Sequence, residues 1–202
     1  MLGVTLPIDT YVRRLQAELD RVNQADVVRL GDLLYQAWQA GRFVFIFGNG
    51  GSATTASHFA EDFGKNCLRQ TDDRDETARR LKVLSLTDNV GWITALGNDI
   101  SYDQIFAQQL IQYASPGDLA IAISGSGNSP NVLKAVDWAN RHGVMTFGLT
   151  GYDGGKLKQM QQAGIHVPLD DMAMVESIHM CVGHWVVDDL YARINRTGRY
   201  QG

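Results

Sequence analysis

Across residues 8–40 apolar side chains return every three or four positions, through Val12, Leu15, Leu19 and Val22 and then Val27, Leu30, Leu33, Leu34 and Ala37. That spacing lines one face of a helix and Gly41 ends it, so the chain is expected to open with a helical arm over residues 1–41. Past the arm the pattern changes. Short continuous apolar runs at 43–47, 82–86, 119–123, 145–149 and 165–168 have the length and bulk of strands buried on both faces. Helical periodicity fills the intervals. Strands alternating with helices predict an α/β fold, a doubly wound parallel five-stranded sheet with residues 42–195 as its core. Residues 174–194 are apolar around much of the circumference, as in a helix buried against the sheet or against another subunit. The loop 69–80 is charged, and the tail 196–202 reads as frayed.

Composition narrows the function more than the fold. A chain of 202 residues, 45% of them hydrophobic, buries one substantial core, so residues 1–202 are read as a single domain. The net charge of −4 gives no basic field, which argues against nucleic acid and against an anionic membrane surface as partners. No apolar stretch approaches the roughly 20 residues of a spanning helix, and the first ten residues lack a signal-peptide pattern. A cytoplasmic location is therefore expected. Cys67 and Cys181 form no CxxC pair and are read as reduced structural residues. Asn195-Arg196-Thr197 matches a glycosylation sequon by chance.

The candidate chemistry starts where strands meet helices. The first strand runs into Gly48-Asn49-Gly50-Gly51-Ser52-Ala53, followed at once by a helical pattern over 54–63. Glycines allow close approach to an anion, a helix N-terminus carries about half a positive charge, and Ser52 offers a hydroxyl. The stretch also fits GxGxxA. A dinucleotide site, however, needs an acidic residue about 20 positions on at a strand end, and that distance falls between Gln70 and Asp73 in a polar loop. No Lys-Ser/Thr pair makes it a P-loop either, so no nucleotide cofactor is expected. The third strand delivers Ser124-Gly125-Ser126-Gly127-Asn128-Ser129-Pro130. Ser129 suits an N-cap and Pro130 the first helical position, whereas Ser124 and Ser126 have no such structural duty and suit a multiply bonded phosphate.

His58 and Asp62 lie four apart on the helix after the first loop and so share a face. Glu176 and His184, eight apart on the last helix, also share a face but are separated by about 12 Å along an ideal axis. They bracket a site. His142, His166 and His179 are read as packed or capped core histidines.

Taken in order, the GNGGSA loop, His58-Phe59-Ala60, Gly97-Asn98-Asp99, the SGSGNSPN loop and the helix from Glu176 to His184 resemble the phosphoheptose isomerases of the SIS (sugar isomerase) family over nearly the whole chain. The resemblance implies a flavodoxin- or Rossmann-like SIS fold. It also implies conversion of sedoheptulose 7-phosphate to D-glycero-D-manno-heptose 7-phosphate by a homotetramer with active sites between subunits. Matching positions imply substrate contacts from Asn49, Gly50, Gly51, Ser52, Asp62, Asn98, Asp99, Ser124, Gly125, Ser126, Ser129 and Glu176. His58, Asp62, Glu176 and His184 match the family's zinc positions. The chemistry implied is an aldose-ketose isomerisation through an enediol(ate), with Asp62 or Glu176 as base and His184 as its acid partner. Family enzymes usually carry Glu at position 62, Gln at 176, Thr at 125 and a basic residue near Asn66, where this chain offers Lys65. Those departures bear on which sugar phosphate is used. The alternative reading, a non-catalytic phosphosugar-binding or assembly protein, predicts intact serine loops with blank acid/base positions; here those positions are filled.

Overall fold

The structure is a computed structural model that describes residues 1–72 and 74–201, without the side chain of Gln70. Asp73, where the ribose-binding acid was sought, and Gly202, the end of the tail, lie outside the described residues. The arm comprises α1 (Leu2–Thr5), α2 (Ile8–Asp20) and α3 (Gln24–Ala40). The helical periodicity of 8–40 is thus divided between two helices. Asn23 makes the division, because its side chain accepts from the Ala25 amide and starts α3 afresh. Gly41 closes α3 in the left-handed conformation.

The core follows as β1 (Phe43–Gly48), α4 (Gly51–Lys65), β2 (Lys82–Ser85), α5 (Val90–Asp99), α6 (Ala107–Tyr113), β3 (Leu119–Ser124), α7 (Pro130–Arg141), β4 (Met145–Thr150), α8 (Gly155–Met160), β5 (Ala163–His166) and α9 (Met172–Asn195). The five strands are parallel in the order β2-β1-β3-β4-β5. Each predicted strand is present, but the last sits earlier than 165–168. Its register with β4 runs from Ala163 to His166, and Val167 N–H makes the last bond, to Thr150 O at 2.9 Å; Pro168 is tolerated just beyond it on the edge strand.

Strand alternation builds two apolar layers. Val44, Ile46, Ile121, Ile123 and Leu149 face α3, α4 and α9, whereas Phe45, Phe47, Ala120 and Ala122 face the layer of Leu110, Val132, Val136 and Leu157. Both faces of the central strands are covered, which is why they read as unbroken apolar runs. The chain reverses direction across the sheet between β1 and β3, and a doubly wound sheet opens its ligand crevice at the carboxyl ends flanking such a point. Both glycine-serine loops leave from there.

Two expectations are corrected. The tail is not frayed over its described part. Residues Gly198–Tyr200 make a 3-10 turn, held by Arg199 and Tyr200 bonding the buried Asp189. Both cysteines are free: Cys67 is buried, its thiol pushed up to about 12 by burial, and fits the structural reading, whereas Cys181 is exposed and does not. No helix among the described residues is long and apolar enough to cross a membrane.

Candidate active site

The two loops differ in what they leave free. In the first, Ser52 N–H closes back on Asn49 O at 3.0 Å and Ala53 N–H on Gly50 O at 3.0 Å, so the first turn of α4 satisfies part of its own donors. Glu176 then comes down on this turn from α9. A Cβ at Gly51 would lie 2.5 Å from Glu176 Oε1 and 2.9 Å from its Cδ, so any larger residue would push the carboxylate off this turn. A negative group is favourable at a helix N-terminus. The same group would repel a phosphate, which leaves the first loop suited to hydroxyls more than to a dianion.

The second loop has no such internal anion. Pro130 opens α7 as expected, yet Ser129 at the N-cap makes no capping bond. Its Oγ lies 3.3 Å from Ser124 Oγ instead. Gly127 N–H reaches Ser124 Oγ at 3.2 Å and Asn128 N–H reaches Ser126 Oγ at 3.3 Å, so serine hydroxyls and amides are gathered in one turn. Ser124 is buried and Ser126 exposed. Met172 lies over position 125: a Cβ there would meet its Sδ at 2.4 Å, so a larger residue would displace the end of Met172. Met172 opens α9, and Glu176 lies one turn further along the same helix.

The roots of the loops are tied together by a pair the sequence did not reveal. Asn49 Nδ2 donates to Asn131 Oδ1 at 2.9 Å, Asn131 Nδ2 donates to Asn49 Oδ1 at 2.8 Å, and Tyr102 OH donates to Asn49 Oδ1 at 3.2 Å. Asn131 is 2% exposed. An amide directly after the serine-proline start of a helix was the available signal, since a buried amide needs a partner.

Further along α9 the expected titratable cluster forms, with three of its four members. His58 Nε2 lies 2.9 Å from His184 Nε2 and 3.2 Å from Asp62 Oδ2, while His184 Nε2 lies 3.8 Å from Asp62 Oδ2. The helices carrying them meet closely because position 183 is glycine: a Cβ there would stand 2.0 Å from the Phe59 ring. Asp62 is 8% exposed, and both imidazoles are half-exposed. Burial raises the Asp62 carboxyl above its ordinary value, against the pull of His58. The three donor atoms lie within 4.8 Å of one another, a group that could hold a metal. Tetrahedral zinc separates its ligand atoms by about 3.3 Å, and the three distances bracket that value. Glu176 stands apart from this group, at Gly51.

The remaining expected residues separate clearly. Asn98 and Asp99 bond to each other at the exposed end of α5, and among the described residues no hydrogen bond joins them to either loop. His179 is buried, bonded through Nε2 to Thr150 O, and pushed down to about 4 by burial; His166 bonds Thr150 Oγ1. These two fit the packed reading. His142 is capped through Trp138 O but exposed, so it is not a core histidine.

Residues 10–151 match the SIS domain family model. A phosphoheptose isomerase of Chlorobium phaeobacteroides is 36% identical over 92% of this chain and 80% of its own length. One of Trichlorobacter lovleyi is 38% identical over 87% and 84%. Among solved structures, a phosphoheptose isomerase from Neisseria gonorrhoeae superposes with a TM-score of 0.79 at 29% identity, covering 90% of this chain and 93% of that one.

Proposed function

The chain belongs to the SIS domain family, within its phosphoheptose isomerases, and we propose that it isomerises sedoheptulose 7-phosphate to D-glycero-D-manno-heptose 7-phosphate. One observation carries the reading. A single stretch of α9 meets the serine loop at Met172, the first loop at Glu176 and the His58–Asp62 pair at His184. An anion site and a proton-transfer pair at separate points along one helix suit an open-chain sugar whose carbonyl is remote from its phosphate. Ser124, Ser126 and Ser129 then take the phosphate. Glu176 and Ser52, with the backbone of Gly50 and Gly51, take sugar hydroxyls.

Asp62 removes the proton from C1 of the ketose and returns it to C2, and His184 moves the proton between the two oxygens of the enediol(ate). Asp62 is preferred to Glu176 as base because it shares contacts with His184, whereas Glu176 is held at the other loop. Two imidazoles and a carboxylate form a donor set suited to zinc, held by His58, Asp62 and His184. When bound, zinc supplies polarisation of the carbonyl. A non-catalytic binding role is the weaker reading, since a binding protein has no use for a converging acid/base pair. Turnover of sedoheptulose 7-phosphate by protein purified without chelator tests the function, and elemental analysis of that sample tests the metal. The expected results are isomerisation, close to one zinc per chain, and lowered occupancy in His58→Ala. Binding without turnover would favour the non-catalytic role, and a zinc-free active enzyme would remove the metal.

A symmetric tetramer is supported by the apolar groove among Leu19, Val22, Val27, Val28, Val182 and Trp185 on the arm and α9, where Val28 is 40% and Trp185 39% exposed. Light scattering at micromolar concentration should report about four chains. A monomer would contradict it.

A further inference from the structure

The last residue to touch the Asp62 carboxylate is one that neither loop nor cluster includes. Asn66 follows α4 directly and caps it, with its own amide donating to Asp62 O at 2.8 Å. Its side-chain Nδ2 donates to Asp62 Oδ1 at 2.7 Å. The two oxygens of Asp62 are thereby divided. Oδ1 receives the amide, and Oδ2 is turned to His58 at 3.2 Å and His184 at 3.8 Å. A carboxylate on one methylene has few ways to place an oxygen, and rotation about its last torsion would swing Oδ2 away from both imidazoles. The bond from Asn66 opposes that rotation.

The bland account is an exposed asparagine making a local i, i+4 contact of the kind that stabilises an isolated helix only weakly. Two features argue for more. The acceptor is a buried carboxylate with both histidines on its other oxygen, and the donor backbone is itself fixed to the same residue, so the amide arrives pre-oriented. Lys65, next in the chain, turns instead to Glu61 at 3.4 Å and leaves this position to Asn66.

We propose that Asn66 is a positioning residue, holding the Asp62 carboxylate so that Oδ2 faces His58 and His184. This rests on the reading of Asp62 as base and metal ligand. Partners that orient a ligating carboxylate typically change metal affinity or activity roughly 10- to 100-fold when removed. Asn66→Ala is therefore expected to weaken cobalt(II) binding, read from the visible absorption of the metal, by that order. It should lower kcat on sedoheptulose 7-phosphate similarly and leave KM within about twofold, because the serine loop is untouched. Asn66→Gln keeps a donor on the same helix face and should fall between Asn66→Ala and wild type. A cobalt affinity and kcat equal to wild type in Asn66→Ala would overturn the proposal, as would a raised KM with kcat unchanged. A wild-type protein that neither binds cobalt nor turns over the sugar would overturn the underlying reading and this proposal with it. An active wild type with an indifferent Asn66→Ala overturns the proposal alone.

Discussion

Asp62→Asn should lower kcat for sedoheptulose 7-phosphate by about 1,000-fold, the middle of the range that positioned acid/base groups contribute, while KM moves by no more than a few-fold. The substitution preserves shape but removes a carboxylate from the zinc donors as well as the base, so the bound metal is measured beside kcat and the loss is read at equal metal occupancy. An asparagine at 62 can still face Asn66 and His58, but it cannot take a proton from C1. Substrate affinity should survive because the serine hydroxyls and turn amides that would hold the phosphate lie on a different loop. Ser124→Ala provides the opposite signature, raising KM with a smaller change in kcat.

The pH dependence follows from the same residue. In the metal-free protein burial raises the Asp62 carboxyl, so the acid limb of any kcat/KM that survives chelation should descend at a pH above the ordinary aspartate value of about 3.9, and a bound cation should move it down. Below that limb the base is protonated and idle; above it the carboxylate is available. Asp62→Asn retaining more than a tenth of the wild-type kcat would end the case for Asp62 as base and return attention to Glu176.

The sheet was legible because both its faces are covered. Runs such as Phe43 to Phe47 need no partner information to be read as strands, and the glycine-serine clusters marked their carboxyl ends. The cluster of His58, Asp62 and His184 was legible in part, since i, i+4 spacing placed the first two together. What brought α9 to them was a long-range property: Gly183 against Phe59, a contact no local pattern encodes. Glu176 entered the metal set through the family resemblance alone, and in the single chain it lies at Gly51. The helical rise of about 12 Å between Glu176 and His184 separates the two along α9. The mutual bond of Asn49 and Asn131, and the place of Met172 over Gly125, are equally products of the fold. Their residue types carry no chemistry that would single them out.

The tail was misread for a related reason, and its correction leads to the largest expected effect on stability. Asp189 is fully buried, and its carboxylate accepts from Arg193 Nε at 2.7 Å, from Arg199 and from Tyr200 OH at 2.9 Å. Arg193 extends the network to Asp32 on α3 at 2.6 Å. Gly31 makes room for it, since a Cβ there would lie 2.5 Å from Asp189 Oδ2. One carboxylate thus joins α9, α3 and the tail. Removing one partner of a buried charged network leaves the other uncompensated, which costs roughly 3–5 kcal/mol. For a chain of this size each kcal/mol lowers Tm by about 2–4 °C, so Asp189→Ala should melt roughly 6–20 °C below wild type at equal protein concentration. Arg199 is half-exposed, and Arg199→Ala should cost about 1 kcal/mol or less. That ordering is the discriminating result. A carboxylate that merely decorated the helix would give two small and similar losses. An Asp189→Ala protein within about 1 kcal/mol of wild type in urea would contradict the anchor. Below its lowered melting temperature, Asp189→Ala should keep its kcat, because Asp189 touches neither loop nor the His58 cluster. Asp62→Asn should show the converse, with a folded protein of nearly unchanged Tm and little turnover.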